Sequence, residues 1–152
     1  MLTQKAKYGI RALMYLGRQG IGKPVLIREI AENEKMPRKF LEAILLELKS
    51  AGLLSSRPGR GGGYSLLRAP EDIPLGRVLR LIDGPLAPIP CVSQTAYAPC
   101  KDCPDERACA IRVVMKQVRD ATATVLDATT LADLLAHQVR LGSSSAALDF
   151  AI

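Results

Sequence analysis

The chain has 152 residues, of which 48% are hydrophobic and only 4% aromatic, and its formal net charge is +6. This length suits one domain of ordinary size, or a small domain with an appended helix. No apolar run approaches the roughly 18–20 residues that cross a bilayer, and the first residues resemble no export signal, so we expect a cytoplasmic protein without a membrane partner.

The positive charge is concentrated in the first half of the chain. Residues 1–80 contain 15 Lys and Arg against 7 Asp and Glu, whereas residues 81–152 contain 6 against 8. Such segregation favours a polyanionic partner for the N-terminal half, but it is weak evidence unless a matching fold accompanies it.

The N-terminal half has the residue pattern of a helix-turn-helix. Apolar side chains that recur at three- and four-residue steps predict helices over about 3–20, 24–33 and 37–50, since this spacing places them on one helical face. The turn at 33–36 is short enough to hold the second and third helices as a DNA-binding pair. The third helix is then the one that enters the major groove.

The start of the third helix carries side chains that we expect to read DNA. Arg38 and Lys39 can donate hydrogen bonds to base edges, and Glu42 can accept one from the amino group of cytosine. The alternative for each of them is an ordinary solvated position on a helix surface. These three residues are the candidates for base recognition.

A β-hairpin directly after the third helix is predicted to form a wing. Residues 53–56 and 64–67 have strand character, and the glycine-rich run 57–63 between them is typical of a tight turn. Arginines on such a turn suit close approach to phosphates or to a minor groove. The run lacks the Walker pattern of a nucleotide-binding loop. For Tyr64, at the start of the second strand, packing is the alternative role. The wing candidates for DNA contact are Arg57, Arg60, Gly61, Gly62 and Tyr64.

Three more helices are predicted beyond the wing. They cover about 75–84 and 106–127, with a short last one that a Thr130–Asp133 capping arrangement opens and that ends near Val139. A helix as long as the second of these is commonly a dimer interface in a small DNA-binding chain, although it can instead fold back on its own domain.

The predicted fold is therefore mainly α with a small β wing. We expect a winged helix-turn-helix DNA-binding region at 1–84, a cysteine loop at 85–109, and a long dimerisation helix with a short terminal helix at 110–141. The glycine and serines that begin the segment 142–152 predict a mobile tail.

All four cysteines of the chain lie within the cysteine loop. Cys91, Cys100, Cys103 and Cys109 have the spacing C-x8-C-x2-C-x5-C, and no other cysteine exists. Cysteines that serve only as buried hydrophobes would be scattered, so this clustering indicates a metal centre or redox chemistry. A reducing cytoplasm also disfavours a structural disulfide framework.

Three kinds of site remain open for these thiols. Four thiolates satisfy a 2Fe–2S or 4Fe–4S cluster. They also suit a tetrahedral zinc site, although the irregular spacing lacks paired zinc knuckles. The third interpretation is a reversible disulfide, with Cys100 and Cys103 as the expected pair.

An enzymatic function is not expected. The single histidine, His137, is far in sequence from the cysteines, and no arrangement of a nucleophile with a base, or of paired carboxylates, is apparent. We assign no catalytic residue.

Several motifs together resemble the Rrf2 family of bacterial winged-helix regulators, over roughly residues 1–135. Members of this family include an iron–sulfur cluster regulator and a nitric-oxide sensor. The matching motifs are Leu2-Thr3 with Tyr8, Phe40-Leu41-Glu42, the wing run Gly59–Tyr64, Leu75-Gly76-Arg77-Val78, and the cysteine loop. The resemblance implies a homodimer that binds palindromic double-stranded operator DNA, in many members under the control of an iron–sulfur cluster.

The cluster ligands carry over unevenly from the family. Cys91, Cys103 and Cys109 match its three cysteines, although the gap between the first two is longer than usual. Where the family has a histidine or a partner-chain aspartate as fourth ligand, this chain has Arg112 or Lys7. Neither of the family's fourth ligands is present, and Cys100, a thiol that the family pattern lacks, is the candidate to complete an all-cysteine site.

Overall fold

The computed structural model describes residues 2–149. Its helices are α1 (Gln4–Gln19), α2 (Ile27–Glu34), α3 (Arg38–Ser50), α4 (Leu75–Asp83), α5 (Ala110–Ala128) and α6 (Leu131–Asp149). The strands β1 (Leu54–Arg57) and β2 (Gly63–Leu66) form an antiparallel hairpin, and short 3₁₀ turns cover Pro70–Asp72, Pro90–Val92 and Glu106–Ala108. The predicted helical fold with a small β wing is confirmed. Within residues 2–149 no helix is both long and apolar enough to span a bilayer.

The winged region, residues 2–84, contains most of the hydrophobic core. Helix α1 lies against α3, α4 and α6 and contributes fully buried side chains to that core. In α3 the buried residues recur at helical spacing, which turns the opposite face of this helix to solvent. The largest fully buried side chains are Leu13, Leu16, Ile30, Leu41, Ile44, Leu45, Leu48, Leu53, Leu54, Leu66, Ile73 and Leu131.

The second helix begins later than its sequence pattern predicts. Val25 pairs with Tyr64 through two backbone hydrogen bonds, each 2.8 Å long, so the segment before Ile27 is extended rather than helical. This isolated antiparallel bridge places Val25 alongside β2. It explains Gly63, which has φ +131° and whose missing Cβ would lie 2.2 Å from the Val25 carbonyl oxygen.

The last helix is longer than predicted. The sequence places its end near Val139 and a tail from Gly142, but α6 continues to Asp149, so that predicted boundary is wrong. A glycine and serines lower helix propensity only modestly, and a helix already formed propagates through them. Residues 150–152, which the sequence also assigns to the tail, lie outside the described residues. The capping of α6 is confirmed, since Thr130 and Asp133 exchange hydrogen bonds.

Helix α5 is attached to the winged region mainly at its C-terminal end. The Leu75 amide donates to the Thr129 carbonyl (2.8 Å), and the Leu131 amide donates to the Ile73 carbonyl (2.9 Å). None of the 19 residues of α5 is buried. The helix starts at Ala110, later than predicted, because Glu106–Ala108 form a 3₁₀ turn and Cys109 caps the helix.

Candidate functional site

A basic groove of about 750 Å³ lies between α2, α3 and the hairpin. Four exposed cations line it: Arg28 from α2, Arg38 and Lys49 from α3, and Arg57 from β1. Among residues 2–149, no acidic side chain lines this groove, so its charge is positive and suits a phosphate backbone. Arg28 and Lys49 were missed in the sequence, where only the general charge excess pointed to them, because the fold brings distant positions together.

The candidates for base recognition all lie on the exposed face of α3. Arg38, Lys39 and Glu42 are exposed at the N-terminal end of the helix, where a recognition helix meets base edges. The Arg38 Nε donates to the Glu42 carboxylate at 3.2 Å, one helical turn away. An exposed pair of this kind contributes little to stability. Its geometry leaves both groups free to exchange partners with DNA.

The wing candidates divide into two groups. Arg57 and Tyr64 line the basic groove, whereas Arg60 is exposed nearer the tip of the hairpin and does not line it. Gly61, with φ +71°, supplies the turn. The Gly62 amide donates to the Gly59 carbonyl at 3.1 Å, so this glycine shapes the turn through its own backbone hydrogen bond.

Two of the four cysteines approach each other closely. Cys91 is buried in the Pro90–Val92 turn, Cys100 is half-buried, and their sulfur atoms are 4.0 Å apart. The Ala98 amide donates to the Pro90 carbonyl at 3.3 Å and closes the intervening segment. The Cys91 sulfur accepts a hydrogen bond from the Cys100 thiol, and together with burial and nearby acidic groups it raises the pKa of Cys100.

The other two cysteines are placed by different contacts. The Cys103 amide donates to the Cys100 carbonyl at 3.3 Å. Cys109 is the N-cap of α5, and its sulfur accepts from the Arg112 amide at 3.4 Å. All four thiols are free. Among residues 2–149 no three Cys, His, Asp or Glu side chains are gathered closely enough to hold one metal ion.

The cysteine loop nevertheless fits an iron–sulfur cluster in the kind and number of its donors. Four free thiols match the all-cysteine ligation of such clusters. Nearby, the Nε of Arg112 is buried and, in the part of the chain that the structure describes, has no hydrogen-bond partner. A buried donor without an acceptor is costly, so this guanidinium is suited to a negatively charged sulfur group beside it.

Two arginines connect α5 with its surroundings. The Arg119 side chain is only 14% exposed, and its Nη1 donates to the Val92 carbonyl at 2.7 Å, next to Cys91. Arg80 of α4 forms a bidentate pair with Asp127 at 2.6 and 2.9 Å, which raises the pKa of Arg80 and lowers the pKa of Asp127. These contacts join the turn beside Cys91 to α5, and α5 to α4 of the winged region.

The single histidine lies apart from both candidate sites. His137 is exposed on α6, where its Nδ1 is 2.6 Å from Arg140. It is neither in the basic groove nor beside the cysteines.

Comparisons with known proteins agree with this architecture. The Rrf2 family, described as "Iron-dependent Transcriptional regulator", matches residues 2–137. The chain is 48% identical over 139 residues to a putative HTH-type transcriptional regulator, rrf2-like, of Rhodobacter capsulatus, with 90% of this chain and 93% of that protein covered.

Solved structures show the same fold. CymR, the global cysteine regulator of B. subtilis, superposes with a TM-score of 0.74 at 30% identity and covers 90% of this chain and 97% of its own. T. potens IscR gives a TM-score of 0.69 at 28% identity, with 91% and 88% covered.

Proposed function

The chain belongs to the Rrf2 family of transcriptional regulators, and we propose on that premise that it is a homodimeric DNA-binding regulator controlled by an iron–sulfur cluster. The cluster would be held by Cys91, Cys100, Cys103 and Cys109. The basic groove carries the DNA-binding part of this proposal, and the four free thiols of the cysteine loop carry the regulatory part.

The basic groove and the exposed face of α3 suit double-stranded DNA. With α3 in the major groove, Arg38, Lys39 and Glu42 reach base edges, while Arg28 and Lys49 contact phosphates beside them. In the wing, Arg57 extends this basic surface and Arg60 contacts the backbone, while Gly61 and Gly62 allow the tight turn and Tyr64 supports it.

The proposed base contact of Glu42 has a direct test. Glu42→Gln replaces a carboxylate, which only accepts hydrogen bonds, with an amide that also donates, so we expect a preference for cytosine to weaken by about 1–3 kcal/mol at one position. Selection of sites from a random duplex library with both proteins measures this change. Identical selected sequences would remove Glu42 from the base-reading set.

The homodimer is inferred from the unpartnered apolar surface of α5. Ile111, Val114, Val118 and Val125 are exposed by 67, 51, 43 and 64% and recur at helical spacing. A neighbouring groove of about 630 Å³ between α1, α4 and α5 has a mostly apolar lining that includes Val118 and Leu126. The α5 helix of a second copy has the apolar stripe that would cover this surface.

The cluster, when bound, supplies a centre that changes with its oxidation or assembly state. Cys91 lies in the buried turn and Cys109 at the N-terminus of α5, so shared ligation of a cluster would fix the loop against the helix. The buried Nε of Arg112, which has no hydrogen-bond partner among residues 2–149, would donate to the negatively charged sulfurs of such a cluster. Because Arg119 of α5 donates a hydrogen bond to the Val92 carbonyl, a movement of the turn that contains Val92 also moves α5.

This mechanism couples two sites through the dimer. A shift of α5 in each protomer changes the separation or tilt of the two α3 helices, and with it the fit to half-sites about one helical turn apart. The cysteine loop therefore acts on DNA affinity without touching DNA.

Purification under anaerobic conditions tests the regulatory part. We expect brown protein with broad absorbance, iron and acid-labile sulfide, and loss of this signal in Cys103→Ser, with Ser143→Ala as the matched control on α6. A colourless protein that contains zinc, or no metal, would contradict the cluster proposal and leave the DNA-binding proposal to be judged by site selection.

A further inference from the structure

We propose that Cys91 and Cys100 form a reversible disulfide when the cysteine loop holds no cluster, so that the loop has a second, thiol-based state. The bond itself depends only on the geometry of the loop. Its effect on DNA binding rests on the regulatory function proposed above.

The loop places this particular pair of thiols together. Their sulfur atoms are 4.0 Å apart, and the Ala98–Pro90 hydrogen bond closes the segment that joins them. A disulfide needs about 2.05 Å between sulfurs, so the approach required is about 2 Å. Residues 94–99 are exposed and lie outside helices and strands, so this segment can adjust without disturbing the core.

The sulfur contact favours a different pair from the one that sequence spacing predicts. Cys100 and Cys103 are separated by two residues, a spacing typical of a C-x-x-C redox pair, and the Cys103 amide donates to the Cys100 carbonyl at 3.3 Å. The sulfur contact of Cys100 is with Cys91. Tertiary closure of the loop, rather than spacing in the sequence, selects the pair.

The two thiols differ in access to solvent, which assigns their order of reaction. Cys91 is 4% exposed, whereas Cys100 is half-buried at the surface. A hydroperoxide oxidises the Cys100 thiol to a sulfenic acid and leaves as the alcohol, or as water if it is hydrogen peroxide. The Cys91 sulfur then attacks the Cys100 sulfur, a disulfide forms, and the sulfenic oxygen leaves as water with the Cys91 proton.

The disulfide and the cluster exclude each other. A bond between Cys91 and Cys100 removes two of the four thiolates that the cluster would need. It also fixes the turn that contains Val92, whose carbonyl accepts from Arg119 of α5. Oxidation of the loop therefore acts on α5, the helix through which the cluster would also act, and it requires no iron.

Tryptic peptide mapping tests this pair, because cleavage after Lys and Arg keeps Cys91 and Cys100 in one peptide and places Cys103 and Cys109 in two others. Trypsin cuts after Arg80 and Lys101, so Cys91 and Cys100 remain in one peptide, 81–101, while Cys103 falls in 102–107 and Cys109 in 108–112. The full chain, freed of iron by chelation and treated with hydrogen peroxide, is alkylated and digested without reduction. We expect 81–101 to lose two hydrogens and to take no alkyl group, while the other two peptides are fully alkylated.

Variants and alternative products decide the outcome. Cys100→Ser should leave Cys91 alkylated, and Cys103→Ser should leave the bond intact. A peptide that joins 81–101 to 102–107 or to 108–112, a link between two chains, or four alkylated thiols would each overturn the proposal. Iron and sulfide analysis of the untreated protein is a separate readout, so a failed cluster proposal and a failed disulfide proposal are distinguishable.

Discussion

The winged region buries its apolar side chains within one chain, whereas the segment that the cysteine loop forms with α5 leaves much of its apolar surface exposed. In the winged region, α3 buries Leu41, Ile44, Leu45 and Leu48 and contributes Arg38 and Lys49 to the basic groove. In the second segment, no residue of α5 is fully buried, and the sulfur atoms of Cys91 and Cys100 are in contact at 4.0 Å. The proposed DNA-binding surface lies within one chain, whereas the proposed regulatory segment would be completed by a second chain and by the chemistry of its thiols.

The largest expected effect comes from truncating one isoleucine to alanine in each of the two regions. Ile44→Ala removes a fully buried side chain and should lower the free energy of unfolding by about 2–5 kcal/mol at any protein concentration. Ile111→Ala on α5 removes an exposed side chain, so its effect should appear only at concentrations where dimers form. Denaturant unfolding at two protein concentrations measures both. A concentration-independent loss for Ile111→Ala would show that α5 folds against its own chain instead.

A charge on the apolar stripe of α5 should break the dimer. Val118→Glu places a carboxylate where the second copy packs, and we expect the dimer dissociation constant to rise about a hundredfold. Val113→Glu is the matched control, because Val113 is also exposed on α5 but lies about 140° around the helix from Val118. Sedimentation equilibrium gives both constants. Equal effects of the two substitutions would contradict a dimer interface on this stripe.

In the winged region, removal of one groove cation should weaken DNA binding without changing its sequence preference. Arg28→Ala removes one phosphate contact, so affinity should fall for all duplexes and the salt dependence should decrease by about one charge. Arg140→Ala, exposed on α6 away from the groove, is the control. Fluorescence anisotropy over a salt series measures the slope. An unchanged slope for Arg28→Ala would exclude α2 from the interface.

The smallest effect concerns the attachment of α5 to α4. Because Arg80 lowers the pKa of Asp127, this carboxylate stabilises the fold above its ordinary pKa, and the contribution is lost as pH falls through the lowered value. Asp127 is half exposed, so we expect less than about 1 kcal/mol. The difference in unfolding free energy between the protein and Asp127→Asn should be present at neutral pH and vanish in acid. A difference that does not depend on pH would point to packing rather than charge.

Local signals explain what the sequence could predict. The apolar spacing in α3 and the glycines of the wing act on neighbouring residues, so both elements are recognisable before any tertiary contact is known. The Arg28–Lys49 side of the groove and the Cys91–Cys100 approach depend on positions that only the folded chain brings together. The end of α6 was missed because Gly142 weakens a helix without ending it.

Control of DNA affinity by the cysteine loop is the central claim, and one binding measurement tests it most directly. A duplex selected from a random library is titrated anaerobically with iron–sulfur-loaded protein and with the same protein after the iron has been chelated. We expect the two dissociation constants to differ by at least about tenfold, which is ~1.4 kcal/mol of coupling between the sites. Constants that agree within about twofold, from protein shown to contain iron and sulfide, would contradict the claim.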